Sequence, residues 1–160
     1  MNHILLGMPL IGDEEISMVS EVLKSKWILN GPMVERFEAD FKDKLGVSHA
    51  AAVTCCTTGM HLAFSLLNIG DGDEVLLSGF NFIGGGLTVL QNNAYPVFVD
   101  IDPVTFNIDP GQIEKKITSK TKAIFVLHYA GMAANMDPIL ELAEKHKLYV
   151  IEDAAHSLGS

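Results

Sequence analysis

Basic residues, cysteines and long apolar runs are all scarce in this sequence. Eleven Lys and Arg residues stand against twenty Asp and Glu residues, which gives a formal net charge of -9. The sequence has no basic stripe that could neutralise the phosphates of a nucleic-acid backbone. We therefore expect no nucleic-acid partner. No apolar run reaches the roughly 20 residues that a membrane span requires, so we also expect no membrane partner.

The two cysteines favour a reducing compartment. Cys55 and Cys56 are adjacent and cannot build an ordinary disulfide framework. The stretch from Met1 to Gly12 has no cationic region ahead of a long apolar run, so it does not resemble a signal peptide. We therefore expect a cytoplasmic protein.

Short apolar runs that alternate with helical segments predict the fold. Hydrophobic residues make up 48% of the chain and charged residues 19%, which is typical of a globular protein. The runs lack clean alternation, as expected of parallel strands covered on both faces. This pattern predicts an α/β fold with a mostly parallel sheet and helices on both faces. The predicted strands are Ala51–Thr54, Val75–Leu77, Val97–Val99, Ala123–Leu127 and Tyr149–Ile151.

Four helix starts are marked by capping residues or prolines. Asp13 is predicted to cap a first helix, and Pro32 to lie in the first turn of a second. Asp109-Pro110 and Asp137-Pro138 have the same cap-plus-proline form. The apolar faces predicted for the first two helices consist of Ile16, Val19, Leu23 and Trp27, and of Val34, Phe37, Phe41 and Leu45.

The carboxyl ends of the predicted strands hold the candidate ligand-binding residues, because ligands of such sheets lie beyond those ends. The segment Thr54–Gly59 leads into a helix near Met60, and free N–H groups at a helix start can bind an anion. A plain capped turn is the alternative for this segment. His128, after the fourth predicted strand, can contact a substrate or serve as a hydrogen-bonded structural histidine.

Aromatic residues follow the second predicted strand. Phe80 and Phe82 can each lie flat against a planar cofactor ring, although we expect at least one of them in the core. The following Gly84-Gly85-Gly86 permits close approach of backbone to a ligand, or merely loosens a helix start.

Two acids follow the last predicted strand, where an unpaired buried carboxylate would be unfavourable. Asp153 can pair with a protonated pyridine nitrogen through a charge-assisted bond of about 2.7–2.9 Å, as pyridoxal-phosphate chemistry requires. A helix cap and a metal ligand are the alternatives. The sequence has no His, Cys and acid cluster at metal spacing in support of a metal.

The order of these motifs resembles that of the DegT/DnrJ/EryC1/StrS family of sugar aminotransferases, which use pyridoxal phosphate. The resemblance covers essentially the whole chain. The matching segments are Gly31–Glu38, Cys56–Ala63, Asp71–Val75, Pro96–Asp100, His128–Gly131, Asn135–Asp137 and Glu152–Ser157. The fold that this resemblance implies is the large domain of an aspartate-aminotransferase-like enzyme.

The resemblance implies a role for five residues. The backbone of Thr57 and Thr58 is expected to hold the cofactor phosphate, and Phe82 to stack on the pyridine ring. Asp153 is expected to bind the ring nitrogen, and His156 to lie near the phenolic oxygen. The implied substrates are glutamate as amino donor and a nucleotide-linked keto-deoxysugar as acceptor, for polysaccharide or glycoside biosynthesis. The implied assembly is a homodimer.

The resemblance also implies that residues 1–160 hold the amino-terminal segment and most of the cofactor-binding large domain. The rest of that domain, a small domain and the catalytic lysine are expected beyond Ser160. None of the ten lysines present lies at the expected place. We therefore expect residues 1–160 alone to be inactive, to expose an apolar sheet edge and to be poorly soluble.

Three alternative functions are open at this point. A dehydratase of the same fold uses a histidine in place of the lysine, and nothing before Ser160 separates the two. A non-catalytic protein can use the fold to bind the cofactor or to regulate. A dinucleotide-dependent oxidoreductase fits the α/β pattern, but the sequence has neither a Gly-x-Gly-x-x-Gly fingerprint after the first strand nor a P-loop.

Overall fold

The computed structural model describes residues 8–160. They fall into two units, of which the first ends at Ala52 and the second begins at Val53. Residues 1–7 lie outside the described residues. They include most of the stretch from Met1 to Gly12, which was predicted not to be a signal peptide. No helix between Met8 and Ser160 is long and apolar enough to cross a membrane.

The first unit contains two helices, α1 (Asp13–Ser25) and α2 (Pro32–Leu45). Asp13 begins α1 but does not cap it; the N-cap is Gly12, whose N–H donates to Glu15 Oε2 at 2.7 Å. Pro32 is at the start of α2 as predicted, because its missing N–H would have no helical partner there. Gly46 caps the carboxyl end of α2, where a φ of +65° suits a residue without a side chain.

The faces predicted to point inward in α1 and α2 are largely exposed. Neither helix contains a buried residue, and Ile16, Trp27 and Phe37 are each more than half exposed. The apolar spacing therefore predicted the two helices correctly but not their burial.

The second unit is built on a four-stranded, wholly parallel sheet with the strand order β2-β1-β3-β4. The strands are β1 (Glu74–Ser78), β2 (Tyr95–Val99), β3 (Thr121–Leu127) and β4 (Tyr149–Asp153). The helices are α3 (Cys56–Leu66), α4 (Ile83–Gln91), α5 (Pro110–Ile113) and α6 (Met136–His146), with 3-10 turns at Glu114–Lys116 and Tyr129–Gly131. The predicted parallel α/β arrangement is confirmed.

Apolar residues cover both faces of the central strands. Val75 and Leu77 of β1 pack in one buried cluster with Phe64 and Phe125, while Leu76 packs in a second cluster on the other face. The first cluster includes residues of α3 and α4, and the second includes residues of α5 and α6. This two-sided burial explains why the strand sequences are continuously apolar.

Two predicted boundaries differ from the structure. Helix α3 begins at Cys56 rather than near Met60. Strand β4 extends past Ile151, so Glu152 and Asp153 are its last two residues instead of following it.

Two further local predictions were wrong. The run Ala51–Thr54 is not a strand, because it pairs with no strand of the described sheet and a strand needs a neighbour to receive its hydrogen bonds. Helix α6 begins one residue before Asp137, with Asn135 as its N-cap. Asp109 does cap α5, since its Oδ1 accepts the Gly111 N–H at 2.8 Å.

Candidate cofactor site

The start of α3 presents backbone N–H groups without partners. Cys55, in extended conformation, is the N-cap, and its carbonyl accepts the first helical hydrogen bond from Gly59. The N–H groups of Cys56, Thr57 and Thr58 donate to no backbone carbonyl in the described range. Those of Thr57 and Thr58 approach the Cys55 sulfur and help to lower the pKa of that thiol. No side chain caps the helix by a hydrogen bond. N–H groups that no carbonyl accepts, together with the positive end of the helix dipole, suit an anion such as a phosphate.

Asp153 ends β4 and lies against the first residue of α3. Its side chain is buried, and Oδ1 accepts hydrogen bonds from the Ala155 N–H at 3.1 Å and from Cys56 Sγ at 3.3 Å. Burial, and then the neighbouring Asp153, raises the pKa of the Cys56 thiol to about 11. The thiol is therefore protonated at neutral pH and acts as a donor to the carboxylate. We call Cys56, Thr57 and Asp153 the α3 corner.

Phe82 brings an aromatic ring to the same corner from the start of α4. A Cβ placed on Gly84 would lie 2.7 Å from the Phe82 ring and 3.2 Å from the Thr57 hydroxyl oxygen. Gly84 therefore lies close to both the Phe82 ring and Thr57, and the space between them has no room for a side chain. Phe82 is 59% exposed, so one face of its ring is available to a ligand.

Phe80 is not a core residue either, so the expectation that Phe80 or Phe82 is buried was wrong. Phe80 is 44% exposed and packs on Tyr129 and Phe106, with ring centroids 4.8 and 5.7 Å away. The sequence offered no signal for this cluster, because its members follow three different strands.

His128 is a structural histidine, one of the two alternatives that the sequence left open. It is buried; the Ala134 N–H donates to Nδ1 at 3.1 Å, and Nε2 lies 2.9 Å from Glu152 Oε2. Because Nδ1 accepts, the neutral ring carries its proton on Nε2 and donates it to Glu152. We call His128, Ala134 and Glu152 the His128 corner. Glu152 thus has a partner, which accounts for the first of the two acids after β4.

His156 lies in the turn after β4, and its side chain is exposed without a hydrogen bond to any described residue. Its carbonyl oxygen would lie 2.9 Å from a Cβ on Gly131, which has a φ of +87°. Gly131 therefore permits the close approach of the two loops that follow β3 and β4. The predicted role of His156 near a phenolic oxygen stays a prediction.

Asn107 was missed in the sequence. It is buried, its Oδ1 accepts the Tyr129 N–H at 2.8 Å, and its Nδ2 donates to the Met132 carbonyl at 3.1 Å. These two bonds fix the turn that carries Tyr129. The local sequence around Asn107, between Phe106 and Ile108, does not indicate which distant residues it will bond.

The residues of the α3 corner and Phe82 fit pyridoxal phosphate in chemistry. The N–H groups at the start of α3, which no carbonyl accepts, can hold a phosphate, and an exposed aromatic ring can stack on a pyridine. Asp153 Oδ2 has no hydrogen-bond partner in residues 8–160. Of the rival roles for Asp153, a metal site lacks support: no group of three His, Cys, Asp or Glu in the described part of the chain is placed to hold an ion.

Known proteins similar to this chain are aminotransferases and sugar-biosynthesis proteins. The spore coat polysaccharide biosynthesis protein SpsC of Bacillus subtilis (strain 168) is 45% identical over 158 residues, which are 98% of this chain and 41% of that protein. The structure of the aminotransferase from Psychrobacter cryohalolentis matches 94% of this chain and 39% of its own, with 38% identity and a TM-score of 0.91.

A second solved structure carries a form of the cofactor. NtdA from Bacillus subtilis, with bound cofactor PMP, matches 99% of this chain and 39% of its own, with 32% identity and a TM-score of 0.89. The chain thus spans about two fifths of the length of the proteins it matches. The comparisons confirm the predicted aminotransferase fold and support pyridoxal phosphate as the cofactor. The family model described as the DegT/DnrJ/EryC1/StrS aminotransferase family matches residues 9–160. The chain therefore belongs to the DegT/DnrJ/EryC1/StrS aminotransferase family.

Proposed function

We propose that the full-length protein is a pyridoxal-phosphate-dependent sugar aminotransferase. It transfers an amino group from glutamate to a nucleotide-linked keto-deoxysugar, for polysaccharide or glycoside biosynthesis in the cytoplasm. The observation that carries this proposal is the position of the Asp153 carboxylate beside the start of α3, whose first N–H groups donate to no carbonyl of the described residues. The similarity to a protein named for spore coat polysaccharide biosynthesis supports the substrate class.

In this proposal the described residues bind and orient the cofactor. When bound, pyridoxal phosphate supplies an electron sink for a carbanion next to the amine. The N–H groups of Thr57 and Thr58 hold the phosphate, and the Phe82 ring covers one face of the pyridine. Asp153 accepts the ring N–H and keeps that nitrogen cationic. His156 lies near the phenolic oxygen.

We propose further that residues 1–160 form the amino-terminal segment and most of the cofactor-binding large domain. The lysine that bonds covalently to the cofactor and moves the proton then belongs to a part of the protein beyond Ser160. The proposed assembly is a homodimer. A dehydratase of the same fold would have a histidine in place of that lysine.

Borohydride reduction of the full-length protein with pyridoxal phosphate tests this function. Intact mass and peptide mapping are expected to show one pyridoxyl group on a lysine beyond Ser160. Bound cofactor without an adduct would favour the dehydratase or a non-catalytic binder. Failure to bind pyridoxal phosphate at all would overturn the proposal.

A further inference from the structure

The two oxygens of the Asp153 carboxylate have unequal surroundings. Oδ1 accepts two hydrogen bonds, one from the Ala155 N–H and one from the Cys56 thiol, whereas Oδ2 accepts none within residues 8–160. The Asp153 residue is only 4% exposed. Oδ2 is not among the buried side-chain atoms without a partner, so this free oxygen is accessible to a further donor.

The thiol comes from a distant part of the sequence. Cys56 and Asp153 are 97 positions apart, and their contact joins the first residue of α3 to the last residue of β4. With the Ala155 N–H as its only donor, the carboxylate would be held by a single hydrogen bond from its own turn and could still rotate about it. The thiol adds a second restraint from a different element, so the plane of the carboxylate is fixed against α3.

The adjacent Cys55 does not share this role. Its Sγ lies 3.3 Å from the Thr58 hydroxyl, and that hydrogen bond is the main reason that the pKa of Cys55 is lowered. The pKa of Cys56 is raised instead, mainly by burial and then by Asp153. The two thiols therefore differ in both their partner and the direction of the shift. Charge on Cys55 also contributes to the raised pKa of Cys56, but Asp153 is no cause of the Cys55 shift, so Cys55 is an internal reference for the effect of Asp153.

We propose that Cys56 is a positioning residue for the cofactor: its thiol holds Asp153 Oδ1, so that Oδ2 is presented to the pyridine nitrogen. The inference rests on the proposed function, since it needs a cofactor whose nitrogen Asp153 binds. Cys56 itself touches no reacting atom in this role.

The contact can be tested without the cofactor. In the full-length apoprotein, the rate of iodoacetamide alkylation is measured against pH at each cysteine by peptide mass spectrometry. Asp153→Asn removes the negative charge beside Cys56, so the midpoint of the Cys56 profile is expected to move to lower pH, while that of Cys55 stays in place. A Cys56 profile that is unchanged in Asp153→Asn would overturn the proposal.

The positioning role is tested with the bound cofactor. Cys56→Ala removes the donor, whereas Cys56→Ser keeps an O–H donor of similar size. Because a thiol is a weak donor to a charged group, we expect Cys56→Ala to bind pyridoxal phosphate about threefold to tenfold more weakly. We also expect the pH titration of the cofactor absorbance to shift in Cys56→Ala and to be restored in Cys56→Ser. Wild-type binding and titration in Cys56→Ala, or equal damage in both variants, would contradict the proposal.

One variant separates failure of this inference from failure of the proposed function. If Asp153→Asn binds the cofactor with wild-type affinity and spectrum, the proposed role of Asp153 is wrong and the role of Cys56 falls with it. If Asp153→Asn changes both properties and Cys56→Ala changes neither, only the role of Cys56 is wrong. Should Cys56→Ala not fold, Cys56→Ser and the alkylation profile of Asp153→Asn decide.

Discussion

The α3 corner and the His128 corner lie at the same edge of one sheet but differ in how completely their polar groups are satisfied. At the His128 corner, both ring nitrogens of His128 have partners, and Glu152 is one of them. At the α3 corner, the N–H groups of Cys56 and Thr57 donate to no carbonyl of the described residues, and Asp153 Oδ2 accepts no hydrogen bond from them. Satisfied buried groups stabilise a fold, whereas free groups that converge indicate a ligand.

Glu152 and Asp153 show this difference between neighbours in sequence. Successive residues of a strand point to opposite faces of the sheet, so the two acids lie on different sides of β4. One face brings Glu152 to His128, and the other brings Asp153 to Cys56. The pleat of the strand therefore separates a structural acid from a candidate cofactor ligand.

Asp153→Ala is the strongest way to test this comparison. We expect transaminase activity of the full-length protein to fall by about 100- to 1,000-fold, because the ring nitrogen loses the charge that stabilises it, as when a preorganised electrostatic group is removed. Steady-state kinetics with saturating cofactor measures the effect. Glu152→Gln is the matched control and should keep most of the activity. Similar losses in both variants would show that the two acids have the same role.

His128→Ala should affect stability more than binding. The change opens a cavity and leaves the Ala134 N–H without its acceptor, so the free energy of unfolding is expected to fall by about 2–4 kcal/mol. Urea denaturation measures this loss, and His49→Ala, at an exposed position in the first unit, is the control. The folded variant should retain its affinity for pyridoxal phosphate. A large loss of affinity without a loss of stability would place His128 in the site.

Gly84→Ala should have the smallest effect, confined to the α3 corner. The new Cβ would meet the Phe82 ring at 2.7 Å, but that ring is exposed and can rotate away. We expect cofactor binding to be about tenfold weaker, because loss of one aromatic stacking contact costs about 1.4 kcal/mol of binding free energy. Fluorescence titration of the apoprotein measures it. Gly86→Ala is the control, because a Cβ there has no neighbour within 4 Å. Equal affinities in the two variants would remove Phe82 from the site.

The sequence predicted the parts of the site that depend on local pattern. It named Phe82 and Asp153 as candidates, but it placed the start of α3 near Met60 rather than at Cys56 and the end of β4 at Ile151. The motif order also placed the chain in its family. The contact of Cys56 with Asp153 was not predictable in the same way, because it depends on how a helix and a strand 97 residues apart are packed.

The alternation of parallel strands and helices could be predicted from the sequence, because the period of apolar residues is a local property. Which polar groups find partners depends instead on how the elements pack. His128 was ambiguous in the sequence, and burial against Glu152 and Ala134 made it structural. Asp153 was already a candidate ligand in the sequence, and packing then held one of its oxygens and left the other free. The physical reason is that hydrogen-bond satisfaction depends on distances between elements, and the local sequence does not contain those distances.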